Sequence, residues 1–282
     1  MKKILVTGCS GYIGSHLCKL LESEYEVHGL DIRQPQHPVA KFYEQDINRP
    51  INIEEEYDAV IHLAALVNVG ESEHMPIQYY ITNVNGTMNV INKIKTKNFI
   101  LASTGAADLC ISPYGVSKRA AEDVVTEFYT RHKPTPFTLF RFYNVIGSSG
   151  YAPTNPDGLM YNLMKSADTR EFTIFGSDYE TVDGTCVRDY VHVDEICDAL
   201  KTAIELSSNR IESLGHGVGY TVSEIFDKFL EVNKEALYQH SDEAILRKVG
   251  PRRKGDAPYS VLEDVSPYMK NLYSIDELLR LP

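Results

Sequence analysis

Along the first half of the chain, short runs of unbroken apolar residues alternate with longer stretches whose apolar positions recur every three to four residues. Runs of the first kind lie at 4–6, 27–30, 58–66, 98–104 and 137–142. Continuous apolarity over so few residues fits strands buried on both faces, as in a parallel sheet covered by helices on either side. Residues 12–21, 76–95 and a stretch from 114 to about 132 have the helical period, and a further edge strand is expected around Phe42 and Tyr43. Strand and helix in turn predict an α/β fold, a Rossmann-type doubly wound parallel sheet. A loop rich in Gly, Ser, Pro and Asn over 148–158 breaks the alternation. Beyond it we expect a smaller C-terminal α/β lobe, with helices near 159–167 and 222–232, a strand near 173–176 and a mixed block over 183–196. The predicted boundary separates a domain over 1–147, to which 187–206 returns, from a lobe over 148–282.

The joints between these elements carry the candidate chemistry. Gly8, Gly11 and Gly14 open the helix at 12–21, and glycines there let a pyrophosphate approach amides at a helix N-terminus, where the dipole favours negative charge. Asp31 follows Gly14 by 17 residues, at the end of the second strand, where a carboxylate meets adenosine ribose hydroxyls. The strand at 98–104 delivers Ser103 and Thr104 to the end of the sheet where ligands bind, and Tyr114 and Lys118 follow one helical turn apart. His62, inside an apolar run, reads as a core histidine.

Composition narrows the classes of partner. With 282 residues and 43% hydrophobic content, the chain can bury one large core or a core plus a smaller lobe. A net charge of −11 argues against nucleic acid or an anionic membrane as partner. No apolar run approaches the roughly twenty residues of a membrane span, and the start Met-Lys-Lys feeds directly into a strand, with no signal peptide visible. Five scattered cysteines, Cys9, Cys18, Cys110, Cys186 and Cys197, have no metal-ligand spacing and fit a reducing cytoplasm.

The glycine spacing G-x-x-G-x-x-G resembles that of the short-chain dehydrogenase/reductase superfamily and points to a nicotinamide cofactor. Over nearly the whole chain, TGCSGYIGSH, VIHLAAL, NVNGT, SPYGVSK, RFYN, TIFGSDYETVDGT, VRDYVHV and RRKGD together resemble the UDP-galactose 4-epimerases of that superfamily. The resemblance implies that residues 1–147 bind NAD through Gly8, Gly11, Tyr12, Ile13, Gly14, Asp31, Asp46, Ile47, Leu63, Ala64, Ala65, Asn83, Tyr114, Lys118 and Phe142. It implies catalysis by Thr104, Tyr114 and Lys118. It further implies that a UDP-hexose is held by Asn144, Arg188, Tyr190, Arg253, Asp256 and Ser260, with no metal. Tyr114 would be the base for the sugar 4-hydroxyl; lowering its pKa by about 3 units takes roughly 4 kcal/mol, which Lys118 and the nicotinamide cation would supply. A homodimer would pair the helices at 76–95 and 114–132, with Tyr80, Met88, Val125 and Phe128 as candidate contacts. Ser260, counted without gaps from Asp256, would lie beside the sugar C2 substituent and leave room for an N-acetyl group; a one-residue gap would put Tyr259 there.

Three departures from the family pattern stand out. Thr104 replaces a commoner serine, Val67 stands where a lysine is usual, and the connection from Thr104 to Tyr114 is short. Rival readings are a UDP-glucuronate epimerase or decarboxylase, or a non-catalytic binder of NAD or nucleotide sugars. The decarboxylases typically carry an acid just after the Thr or Ser; here Gly105 and Ala106 follow.

Overall fold

Seven strands join into one sheet in the computed structural model, which describes residues 1–239, 243–270 and 272–281. They are β1 (Lys3–Thr7), β2 (Glu26–Asp31), β3 (Lys41–Glu44), β4 (Ala59–His62), β5 (Phe99–Thr104), β6 (Phe137–Phe142) and β7 (Arg210–Leu214). All pair in parallel, in the order β7-β6-β5-β4-β1-β2-β3. Alternate residues along each strand serve different cores, which is why the strands read as unbroken apolar runs. Ile4, Val6, Ile61, Ile100 and Phe140 face one core, while Leu5, Val60, Phe99, Leu101 and Leu139 face the other. The first core is closed by α1 (Tyr12–Leu21), the second by α2 (Pro113–Glu127) and the helical ribbon over 76–93.

That ribbon is not the uniform helix expected over 76–95. An α-helical turn Pro76–Tyr80 passes into a π-helical turn Ile81–Gly86 and back to α-helix over Thr87–Lys93. The wide turn brings the consecutive residues Thr82 and Asn83 to the buried side, which a regular helix would separate. It stops at Lys93 because Lys95–Thr96 pairs with Glu56–Tyr57 as a short parallel strand. α2 starts at Ser112, whose side chain accepts the Gly115 N–H, with Pro113 at the first helical position. Its continuation to His132 is a π turn, Phe128–His132. Of the four candidate contact residues, Tyr80 and Met88 are exposed; Val125 is wholly buried against the protein's own sheet, and Phe128 is half-buried against the same core.

The second lobe is centred on Val187–His192, which pairs in parallel with Asn144–Ile146 and Tyr259–Ser260 and antiparallel with Gly219–Thr221. Glu171–Phe175 pairs with Leu246–Gly250. Thr221 and Glu224 form a reciprocal capping box that starts the helix Val222–Val232, and Ile225, Phe226 and Phe229 join Leu163, Phe172 and Ile174 in a third core. The return to the first sheet extends past 206. Helix α3 (Val193–Ala203) packs Ile196, Cys197 and Leu200 with Leu17 and Cys18 of α1, and β7 then adds the outermost strand beside β6. Four of the cysteines are buried and Cys110 is exposed, all as free thiols. Among the described residues, no helix is long and apolar enough to cross a membrane.

Candidate active site

A cavity of about 910 Å³ runs along the carboxyl ends of β1, β2, β4, β5 and β6 and into the second lobe. The strand order reverses between β1 and β4, and such a switch point opens a crevice for a ligand. Gly8 sits there at φ +75, and a Cβ on it would come within 2.7 Å of the Ala64 amide nitrogen. A Cβ on Gly14 would lie 2.1 Å from the Gly8 carbonyl oxygen, so the two glycines let α1 start against the turn. No side chain caps α1, and its first turn, with Gly11, Tyr12, Ile13 and Gly14, faces the cavity. Uncapped amides over a glycine cradle suit a pyrophosphate. Asp31 is oriented by the Ser10 and Arg33 amides, both donating to its carboxylate at 3.1 Å. Asp46, Ile47, Leu63, Ala64, Ala65 and Phe142 line the same stretch. These donors and surfaces fit an NAD molecule.

Asn83 does not line the cavity. It is 1% exposed, and its amide accepts the Leu66 N–H at 2.8 Å and donates to the Leu66 carbonyl and Ser117 Oγ, each at 3.0 Å. The amide thereby staples the loop after β4 onto α2. His62 is likewise committed, its ring nitrogens 2.6 Å from Thr7 Oγ1 and 3.0 Å from Thr87 Oγ1, and burial pushes it down to about 3.

Thr104, Tyr114 and Lys118 meet at the middle of the cavity. Burial pushes the Tyr114 phenol up to about 12, with a hydrogen bond from the side chain of Thr104 working the other way. The chain's own groups thus do not lower it, contrary to the share expected of Lys118: burial outweighs the polar neighbours. The Tyr79 ring meets the Tyr114 ring edge-on at 6.3 Å and fixes its plane. Lys118 donates from Nζ to the Ala102 carbonyl at 2.6 Å, and burial pushes its amine down to about 8. The short connection from Thr104 holds a single helical turn, Ala106–Leu109, closed by Cys110 at φ +51. The Tyr143 ring comes to 3.0 Å of where a Cβ on Gly105 would sit, so any side chain there would crowd that ring.

The far end of the cavity gathers Asn144, Arg188, Tyr190, Arg253, Asp256 and Ser260. Both arginines lean on Asp256, Arg253 Nε at 2.8 Å and Arg188 Nη2 at 3.8 Å. Asp189 is no partner to them; it accepts the amides of His216 and Gly217 at 2.8 Å. Asn144 is fixed by its bond to the Asp189 carbonyl at 3.0 Å. Tyr190 is 2% exposed, and its hydroxyl has no partner among the described residues, a buried polar group open to a ligand. Ser260 lies in register with Arg188 and lines the cavity. Tyr259 points elsewhere, 54% exposed, its hydroxyl on the Glu180 carbonyl at 3.1 Å.

Sequence reasoning missed several wall residues. Phe175 underlies the Arg253 guanidinium at 5.0 Å, and Asp157 crosses the mouth to bond the Asn68 side-chain amide. Asp157 lies on a loop with no periodic signal, and Phe175, on a strand the pattern does predict, has nothing in sequence to tie it to Arg253. The pair Glu122 and Arg141 was missed as well: a lone charge on a helix reads as a solvated face.

The family model described as the NAD dependent epimerase/dehydratase family matches residues 4–214. A UDP-glucose 4-epimerase of Haemophilus influenzae is 33% identical over 301 aligned residues, covering 90% of this chain and 87% of that protein. Among solved structures, the UDP-glucose 4-epimerase from Bifidobacterium longum in complex with NAD+ and UDP matches with a TM-score of 0.83 at 27% identity, covering 98% of this chain and 96% of that one. The UDP-Glc/GlcNAc 4-epimerase from Campylobacter jejuni matches with a TM-score of 0.75 at 26% identity, covering 99% and 98%.

Proposed function

The chain belongs to the NAD dependent epimerase/dehydratase family, and we propose that within it this protein is an NAD-dependent 4-epimerase that interconverts UDP-glucose and UDP-galactose. One observation carries the reading: a single cavity joins the uncapped glycine turn, the Thr104, Tyr114 and Lys118 side chains and the paired arginines. The bound cofactor supplies reversible hydride transfer at C4, so the stereocentre inverts without net oxidation. Gly8, Gly11 and Gly14 hold its pyrophosphate, Asp31 its adenosine ribose, and Lys118 the nicotinamide side. Tyr114 Oη takes the proton of the 4-hydroxyl as C4 is oxidised and returns it on reduction, while Thr104 Oγ1 hydrogen-bonds the same sugar oxygen. With the phenol at about 12 from the protein's own groups, its ionised form near pH 7 depends on added positive charge, which a nicotinamide cation brings. Arg188 and Arg253 clamp the diphosphate with their planar donor forks, steadied by Asp256.

Ser260 on the cavity wall, with Tyr259 turned out of it, supports acceptance of the N-acetylated sugars as well. Exposed Ile77, Tyr80, Ile81 and Met88 on the ribbon support a homodimer, which light scattering showing a monomer at micromolar concentration would reject. Unpaired thiols support a cytoplasmic setting. The chain divides into an NAD lobe, 1–147 with a returning segment, and a substrate lobe. The deciding experiment follows UDP-galactose by NMR with purified protein and identifies the cofactor released on denaturation by mass spectrometry. Absence of UDP-glucose from the products, or release of NADP in place of NAD, rejects the reading.

A further inference from the structure

We propose that Glu122 is a positioning residue for this reaction: buried one helical turn beyond Lys118, it ties the strand end that carries Thr104 to the helix that carries Tyr114, and sets the charge that the Lys118 amine faces. The inference rests on the hydride-transfer reading of the site. Glu122 is 2% exposed. Its Oε1 accepts from Ser103 Oγ at 2.5 Å and Arg141 Nε at 3.0 Å, and its Oε2 accepts from Arg141 Nη2 at 2.6 Å. Arg141 reaches on to Asp108 on the turn Ala106–Leu109. Ser103 immediately precedes Thr104, and Ala102, one residue earlier, receives the Lys118 Nζ. One carboxylate therefore locks β5, β6 and α2 together directly behind the reacting groups, and through Arg141 it holds the short connection too.

Few charged or titratable groups face this point. β5 contributes only the Ser103 hydroxyl, β6 contributes Arg141, the short turn Asp108, β4 the neutral His62 and α2 itself Tyr114. The ribbon presents Tyr79 and Asn83, both uncharged. Against the burial that pushes Lys118 down to about 8, Glu122 is the neighbour that favours its protonated form. With Glu122 replaced by a neutral side chain, Lys118 loses the neighbour that favours its charge and gives up its proton at lower pH. Loss of the Glu122 charge should therefore draw in the alkaline limb of turnover, whereas simple loosening lowers the whole profile without moving its limbs.

The test measures kcat against pH for NAD-loaded protein with UDP-galactose, in the parent, Glu122→Gln and Glu122→Asp. We expect the alkaline limb of the Glu122→Gln profile to move inward by about one unit, with KM within about threefold of the parent. Glu122→Asp, which keeps the charge on a shorter arm, should return that limb to the parental position at a kcat about tenfold reduced. A second readout needs no turnover: the titration of the Lys118 ammonium in NAD-loaded protein followed by NMR, its signal identified by loss in Lys118→Met. An inactive parent counts against the epimerase reading alone, while a Lys118 titration unmoved by Glu122→Gln overturns the role of Glu122. Should Glu122→Gln not fold, Glu122→Asp decides, and parental kcat in that variant overturns the proposal.

Discussion

Replacing Gly14 with alanine tests whether the glycine turn is a steric necessity. The added methyl would lie 2.1 Å from the Gly8 carbonyl oxygen and 2.8 Å from Cys9 Cα, both backbone atoms that no rotamer change can clear. Restoring an ordinary separation of about 3.3 Å moves the start of α1 by about 1 Å. Behind α1, Leu17, Cys18 and Leu21 are at most 1% exposed, packed with Ile196, Cys197 and Leu200, so the helix has no slack on that side. Overpacking of this kind costs about 1–3 kcal/mol. At about 2–4 °C per kcal/mol for a chain of this size, Tm should fall by about 5 °C. The first-turn amides shift with the helix, and their hold on a pyrophosphate should weaken by about 10- to 100-fold. Calorimetry of the cofactor-free protein and NAD titration of the refolded variant measure the two effects. Gly70→Ala is the control: its nearest neighbour is 3.6 Å away, so Tm should hold or rise. A Gly14→Ala protein within 1 °C of the parent on the order of assay error, with parental NAD affinity, would refute the steric argument.

Tyr114→Phe removes one oxygen and no packing volume, so turnover should drop by at least about 100-fold with fold and NAD binding intact; activity within about tenfold of the parent sinks Tyr114 as base. Ser260→Tyr should lower the ratio of kcat/KM for UDP-N-acetylgalactosamine over UDP-galactose by about tenfold or more, and an unchanged ratio would show that this wall does not set the pocket. Lys118 titrates near 8 when folded and near 10.5 when unfolded, so over that window the unfolded chain binds more protons and stability rises with pH. Relative to Lys118→Met, the cofactor-free parent should gain up to about 3 kcal/mol between those limits, read from urea midpoints; a difference flat in pH contradicts the burial assigned to Lys118.

The strands were legible because a sheet covered on both faces leaves no polar positions to blur the pattern. β7 was not: in Arg210–Leu214 the edge position leaves Ile211 52% exposed, and its charged residues resemble a loop. The glycine turn and the Thr104, Tyr114 and Lys118 constellation could be read because each depends on local spacing at a strand or helix end. The staple made by Asn83 was hidden because the π turn that carries it has no sequence mark. Ionic partners across lobes were equally hidden. Asp189 adjoins Arg188 in sequence, but the antiparallel and parallel pairing of Val187–His192 turns Asp189 toward backbone amides. That Ser260 lines the cavity while Tyr259 is exposed likewise needed the register against Val187 and Arg188.

The late arrival of β7 and α3 constrains how the chain can be made. A nascent chain that has emerged only through β6 would present Phe137–Phe142 as an unpaired edge strand, with Leu17, Cys18 and Leu21 of α1 bare of α3. Such an edge, apolar and flat, is a template for pairing with other chains. The sheet is completed only once residues through Leu214 have been synthesised, so the first lobe cannot finish on the ribosome before part of the second has been made. A cut in the loop over 148–158 would separate sequences that the fold does not treat as separate.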